Sequence, residues 1–176
     1  MSVTCLGIDP SLTCTGYALV ESFGVSPPRI VMAGTIKPKK GHLAQRVIEI
    51  SEDVRSLIRT TEPHMVVVEL PFATARGGPH AKRSDLTLPN MGMCIGAVLY
   101  VAHDWCFNSS RSLVCTPSDE WTRGMKMGKQ DEHKTGRVRA AAYLFNMTPE
   151  EFGAKTVAGN VADAALMAEW ALRNHK

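Results

Sequence analysis

The chain has no two cysteines spaced as CxxC. Cys5, Cys14, Cys94, Cys106 and Cys115 are scattered and odd in number. That excludes a cysteine-built zinc site and a disulfide framework, and it fits reduced thiols in a cytoplasmic protein. No run of about 18 apolar residues occurs, so no transmembrane helix and no membrane partner are expected. The first residues lack a basic stretch followed by an apolar one, so nothing argues for secretion. There is no internal repeat, no low-complexity segment and no composition shift that would mark a domain boundary. A length of 176 residues therefore suits one domain, residues 1–176, with a full-sized core. Large net charge is missing too. The chain carries +3 overall, so any charge that matters must be local.

What is present is organised around residues 3–20. Val3 to Ile8 is mostly apolar and β-prone and predicts a buried strand. Asp9 and Pro10 end it, the proline because it brings no ladder donor. Gly16 to Val20 begins a second apolar run, so the stretch reads as two strands joined by a tight turn. Asp9 is then a carboxylate at the C-terminal end of a core strand, where its charge needs a partner or a cation. The plainer reading is a turn aspartate bonded to nearby backbone amides.

Further along, Arg29 to Ile36 predicts a third strand and residues 37–42 a basic loop. Helical spacing over residues 43–60 places Leu43, Val47, Ile50, Val54, Leu57 and Ile58 on one face. Glu62 and Pro63 break that helix. Met65 to Glu69 is apolar on both faces, as a central parallel strand should be, and it too ends in an acid shortly before a proline. A hairpin, a helix and a strand returning parallel make an α/β sheet. Residues 72–90 form a long polar stretch carrying Arg76, Lys82 and Arg83, of a length usually found in functional or mobile loops. Residues 91–106 read as a buried apolar helix, and Arg111 to Thr116 as a short strand. From residue 122 to 139 six basic residues, Arg123, Lys126, Lys129, Lys134, Arg137 and Arg139, face only Asp131 and Glu132. Residues 133–145 predict a helix with Val138, Ala141, Ala142 and Phe145 inward. Thr148-Pro149-Glu150-Glu151 looks like an N-capped helix start, and the last helix runs from about Asn160 to Arg173.

That last helix carries Asp163 among Val161, Ala164, Ala165, Met167 and Ala168. Alanine-rich flanks let a helix lie close to a sheet, and Asn160 shares the face of Asp163. Alternatively, Asp163 complements the helix dipole from the first turn. If the two acid-ended strands are neighbours and this helix packs on them, Asp9, Glu69 and Asp163 converge. Clustered carboxylates repel unless protons or cations intervene. Oxygen donors without His or Cys favour Mg²⁺ or Mn²⁺. Two such ions about 4 Å apart activate a water and stabilise a leaving oxygen in phosphodiester cleavage. Basic loops would then hold a polyanionic substrate.

Gly7-Ile8-Asp9-Pro10 followed by Thr15-Gly16-Tyr17, then Val67-Val68-Glu69, then Ala162-Asp163-Ala164, resembles the RuvC-type Holliday junction resolvases over nearly the whole chain. The resemblance implies an RNase H-like α/β fold, a mixed five-stranded sheet flanked by helices. It implies a Mg²⁺- or Mn²⁺-dependent endonuclease, with two ions per site. The protein would be a homodimer that binds four-way junction DNA and nicks two strands of like polarity symmetrically. Asp9, Glu69 and Asp163 match the family's metal-binding acids. Phe72 matches an aromatic placed near the junction centre, although its plain reading is a core phenylalanine. Lys129 and Lys134 fall in the family's basic segment. Two positions depart from the pattern. Ser11 stands where a glycine is usual after Asp-Pro. Asn160 stands where a fourth acid or a histidine is usual; its carbonyl oxygen can still serve a metal, with less charge. Such drift suits a phage or mobile-element member.

Other readings stay open. A nuclease of the same fold could prefer forks, flaps or RNA-containing duplexes, and a decayed member could bind junctions without cutting. The Gly-Ile-Asp-Pro hairpin also resembles the phosphate-binding turn of actin-like kinases, but those need a second domain and a second glycine-rich motif. The basic residues Arg76, Lys82, Arg83, Arg123, Lys126, Lys129 and Lys134 are expected to face DNA. Neutralising Lys129 or Lys134 should weaken binding and flatten the slope of log K against log salt by about one unit for each phosphate no longer engaged. A slope that stays constant in a salt titration would make them a solvated face.

Overall fold

The computed structural model describes residues 2–23, 26–70, 87–127 and 134–175. The apolar run at the start forms strand β1 (Val3–Asp9), and the second run forms β2 (Thr15–Ser22), paired antiparallel from Val3 opposite Ser22 to Asp9 opposite Gly16. Strand β3 (Arg29–Ile36) adds antiparallel to β2, with a register shift at Leu19 and Val20. Helix α1 (Leu43–Thr61) returns the chain so that β4 (Met65–Leu70) lies parallel to β1. Helix α2 (Thr87–Asn108) then leads to β5 (Ser112–Pro117), parallel to β4. The sheet order is β3-β2-β1-β4-β5. Three further helices follow: α3 (Ser118–Gly124), α4 (Lys134–Phe145) and α5 (Ala158–Asn174).

Strand alternation sorts the side chains into two layers. Leu6, Ile8, Val66 and Val68 pack with Ile50, Val54 and Ile58 of α1 and with Cys94, Val98 and Val101 of α2. Cys5, Ala18, Val20, Met65 and Val67 pack on the other side with α4, α5 and Trp121. The expected inward face of α1 is in place. The helix closes where Glu62 takes a left-handed conformation and its N–H reaches the Ile58 carbonyl at 2.9 Å, just before Pro63.

Four sequence expectations change. Helix α2 begins at Thr87 rather than at residue 91, because Pro89 falls within its first turn, where a missing N–H costs nothing. It is also not buried all round: Met93, Tyr100 and Phe107 are 50%, 68% and 76% exposed along one stripe. Helix α3 was not expected. Thr148 to Glu151 does build a capping box, with the Thr148 N–H bonded to Glu151 Oε2 at 2.6 Å, but it opens only a single 3-10 turn, Pro149–Phe152, stopped by Gly153 at φ 100°. No helix among the described residues is long and apolar enough to cross a membrane.

Helix α5 is buried from Ala158 to Leu172 and its backbone rests directly on the sheet. A β-carbon at Gly7 would lie 2.0 Å from the Ala164 carbonyl oxygen, and one at Gly16 would lie 2.3 Å from that of Asn160. Neither obstacle is a side chain that can turn away. Gly7→Ala should therefore destabilise by at least the ~1–3 kcal/mol of ordinary overpacking, read from the denaturant midpoint. An unchanged midpoint would mean that α5 can ride higher on the sheet.

Candidate active site

Ile8 and Val68 are paired across the parallel β1–β4 ladder, so Asp9 and Glu69 follow one residue later, side by side at the C-terminal ends of two neighbouring strands. By alternation both project from the face that carries Cys5, Gly7, Met65 and Val67, the face covered by α5. Gly16, opposite Asp9 in the hairpin, lies under the backbone of Asn160. Asp163 follows one helical turn on, 3% exposed. Asp9, Glu69, Asn160 and Asp163 thus share one end and one face of the sheet. Asp163 sits in the second turn of α5 rather than the first, so the helix dipole does not account for it.

Two residues that sequence reasoning did not single out join these acids. Helix α3 places Trp121, fully buried, so that its Nε1 donates to Glu69 Oε1 at 3.3 Å. Helix α4 sends in Arg137, whose Nη1 donates to Asp163 Oδ2 at 2.9 Å and whose guanidinium carbon lies 5.5 Å from the centroid of the Trp121 ring. The result is a chain Glu69–Trp121–Arg137–Asp163. The Arg137 and Asp163 side chains are 19% and 4% exposed, so this is a buried ion pair. Removing one member of such a pair typically costs about 3–5 kcal/mol, because the other charge is left in a dry setting. Arg137 could only have been guessed as one more member of the basic run, and Trp121 gave no signal beyond following a short strand.

Asp9 and Glu69 end neighbouring strands under the helix that carries Asp163. Among the described residues no three His, Cys, Asp or Glu side chains stand close enough to share a metal ion. Asp163 is turned into its ion pair and Glu69 into its bond with Trp121. The oxygen-only donor set suits a hard cation, but these side chains are held by protein partners.

Asn160 has a role that its position alone did not suggest. Its Nδ2 donates to the Cys14 carbonyl at 2.7 Å, pinning the β1–β2 turn to α5. The turn is braced from within as well. Thr15 Oγ1 donates to the Ser11 carbonyl at 2.8 Å, and the Thr13 N–H donates to Ser11 Oγ at 3.3 Å. Ser11, where a glycine is usual, therefore contributes a hydroxyl that the turn uses. Arg46 of α1 also donates to the Leu12 carbonyl.

Of the residues expected to face DNA, Arg123 and Lys126 are exposed at the end of α3, with Arg123 bonded to the Asp119 carboxylate at 3.1 Å. Lys134 opens α4. Phe72, Arg76, Lys82, Arg83 and Lys129 lie outside the described residues. Arg139 and Lys155 line a cavity of about 450 Å³ between α4 and the start of α5, beside Gly159. The buried thiols are chemically quiet: burial pushes Cys5 well up and Cys94 and Cys106 to about 11, so at neutral pH they remain protonated.

Residues 5–78 match the family model described as crossover junction endodeoxyribonuclease RuvC, a span that contains Asp9 and Glu69. A protein of that name from Azoarcus sp. is 39% identical over 67 residues, 38% of this chain and 36% of the relative. One from Nitratidesulfovibrio vulgaris is 32% identical over 99 residues, 56% of this chain and 54% of the relative. The chain thus matches about half the length of these curated relatives, or less. Among solved structures, T. thermophilus RuvC in complex with a Holliday junction substrate superposes with a TM-score of 0.70 at 17% identity, covering 98% of this chain and 96% of that one. A yeast mitochondrial Holliday junction resolvase gives 0.61 at 12% identity, covering 97% and 78%. The fold is the RNase H-like one that the three acidic motifs implied, with its mixed five-stranded sheet, and the resemblance to RuvC-type resolvases holds.

The bond from Asn160 to Cys14 carries its own consequence. Asn160→Asp would set a carboxylate against a carbonyl, two acceptors with no proton between them, at a buried position. The variant should lose roughly 1–3 kcal/mol of stability without added metal, seen as a lower melting temperature. Equal melting temperatures would mean that the turn does not depend on this bond.

Proposed function

We propose that the protein is a structure-specific endodeoxyribonuclease of the RuvC type, which resolves four-way junctions by paired symmetrical nicks. The observation that carries the reading is the seating of Asp9 and Glu69 on adjacent parallel strand ends beneath the helix that bears Asp163. Asp9, Glu69 and Asp163 would hold Mg²⁺ or Mn²⁺, two ions per site, with the Asn160 carbonyl oxygen as a neutral fourth donor. When bound, such ions supply an activated water and charge stabilisation at the leaving oxygen.

The chain's own residues do the rest. Trp121 orients Glu69 through its indole N–H. Asn160 and the Ser11–Thr15 hydroxyls hold the turn that carries Asp9. Arg123, Lys126, Lys129, Lys134 and the loop residues Arg76, Lys82 and Arg83 would bind phosphates, Arg139 and Lys155 extending that surface around the start of α5. Phe72 would stack on a base exposed at the junction centre, an interaction that contributes roughly 1–3 kcal/mol per base. The exposed stripe of Met93, Tyr100 and Phe107 on α2 supports a homodimer, since a soluble monomer seldom leaves such a row of large apolar groups to water. Residues 1–176 are read as one RNase H-like domain acting in the cytoplasm.

A cleavage assay on four-way junctions, forks, flaps and linear duplexes, with and without Mg²⁺, tests the reading. Asp9→Asn, Glu69→Gln and Asp163→Asn should each abolish nicking of the junction while binding persists. Paired cuts on the junction and none on linear duplex are expected. Preferential cutting of forks or flaps would transfer the activity to another branched substrate, and binding without cutting by the natural protein would make it a non-catalytic junction binder. Near-natural nicking by any one of the three variants would remove that acid from the site.

A further inference from the structure

Resting on the reading of Asp163 as a metal ligand, we propose that Arg137 is a resident counter-cation for Asp163, with which a divalent ion competes in order to load. A buried carboxylate needs a positive partner. Here that partner is a side chain, with Arg137 Nη1 bonded to Asp163 Oδ2 at 2.9 Å. A divalent ion brought to either oxygen of the Asp163 carboxylate meets the positive charge of the guanidinium already on Oδ2, so the two cations compete for one acid. Arginine cannot give way by losing a proton, because its charge persists at every working pH. It can give way only by moving.

The surroundings allow that movement. The Arg137 side chain keeps 19% of its surface in contact with solvent. It also lies over the face of Trp121 at 5.5 Å, an interaction without the directional demand of a hydrogen bond. Trp121 in turn donates to Glu69, so a shift of Arg137 is felt at a second acid. Arg137 lies in the first turn of α4, within the basic segment, which ties the state of the acids to the placement of that helix.

The test uses Mn²⁺ alone, without DNA. Calorimetric titration should show Arg137→Gln binding Mn²⁺ on the order of tenfold more tightly than the natural protein, since one competing charge is gone. Arg137→Lys, which keeps the charge, should stay close to the natural affinity. Equal or weaker binding by the Gln variant would overturn the proposal and leave Arg137 a structural partner. Should that variant fail to fold, the natural protein still answers. Phenylglyoxal labelling mapped by mass spectrometry should modify Arg137 faster at saturating Mn²⁺ than without it, and an equal or slower rate would overturn the idea. These readings stand apart from the nuclease function. If Mn²⁺ behaves as expected but no branched DNA is cut, only the functional reading fails. If neither the natural protein nor the Gln variant binds Mn²⁺, the counter-cation proposal fails with the metal site.

Discussion

The rest of the molecule depends on how closely α5 approaches the sheet. With no side chain at Gly7 or Gly16, the backbone of the helix rests on β1 and β2, and Ala162, Ala164, Ala165 and Ala168 keep the layer between them thin. Close packing of this kind leaves no freedom to slide, because an interior at crystal-like density transmits a shift of even one methylene. The position of Asp163 relative to Asp9 is therefore set by main-chain packing rather than by a flexible side chain. Asn160 adds a hydrogen bond that ties the same helix to the turn from which Asp9 emerges.

Bringing acids to one corner of the sheet creates an electrostatic problem, which Trp121 and Arg137 answer at Glu69 and Asp163. Trp121 and Arg137 come from α3 and α4, elements that touch neither β1 nor β2 in sequence, and they form a continuous path from Glu69 to Asp163.

The opposite layer faces a different demand. Helices α1 and α2 cover the other side of the sheet with Ile50, Val54, Ile58, Val98 and Val101, and then α2 turns Met93, Tyr100 and Phe107 outward. A helix this apolar on both faces reads from the sequence alone as a buried core helix. Its outward stripe has apolar character without a covering element among the described residues.

The sequence by itself determined the strands, the helix α1 and its inward face, the two acid-ended strands and the small-residue helix with Asp163, because each of these is written in local periodicity and in where glycine, alanine and proline fall. The α4 face of Val138, Ala141, Ala142 and Phe145 was legible for the same reason. Only the tertiary structure decided which cation meets Asp163, that Trp121 holds Glu69, that Asn160 spends its amide nitrogen on Cys14, and that α2 is buried on one side alone. Those facts depend on residues far apart in the chain, 26 positions for Arg137 and Asp163, 52 for Glu69 and Trp121, 146 for Cys14 and Asn160. Local pattern carries no information about such pairs, since they form only when the sheet order has already placed their elements side by side.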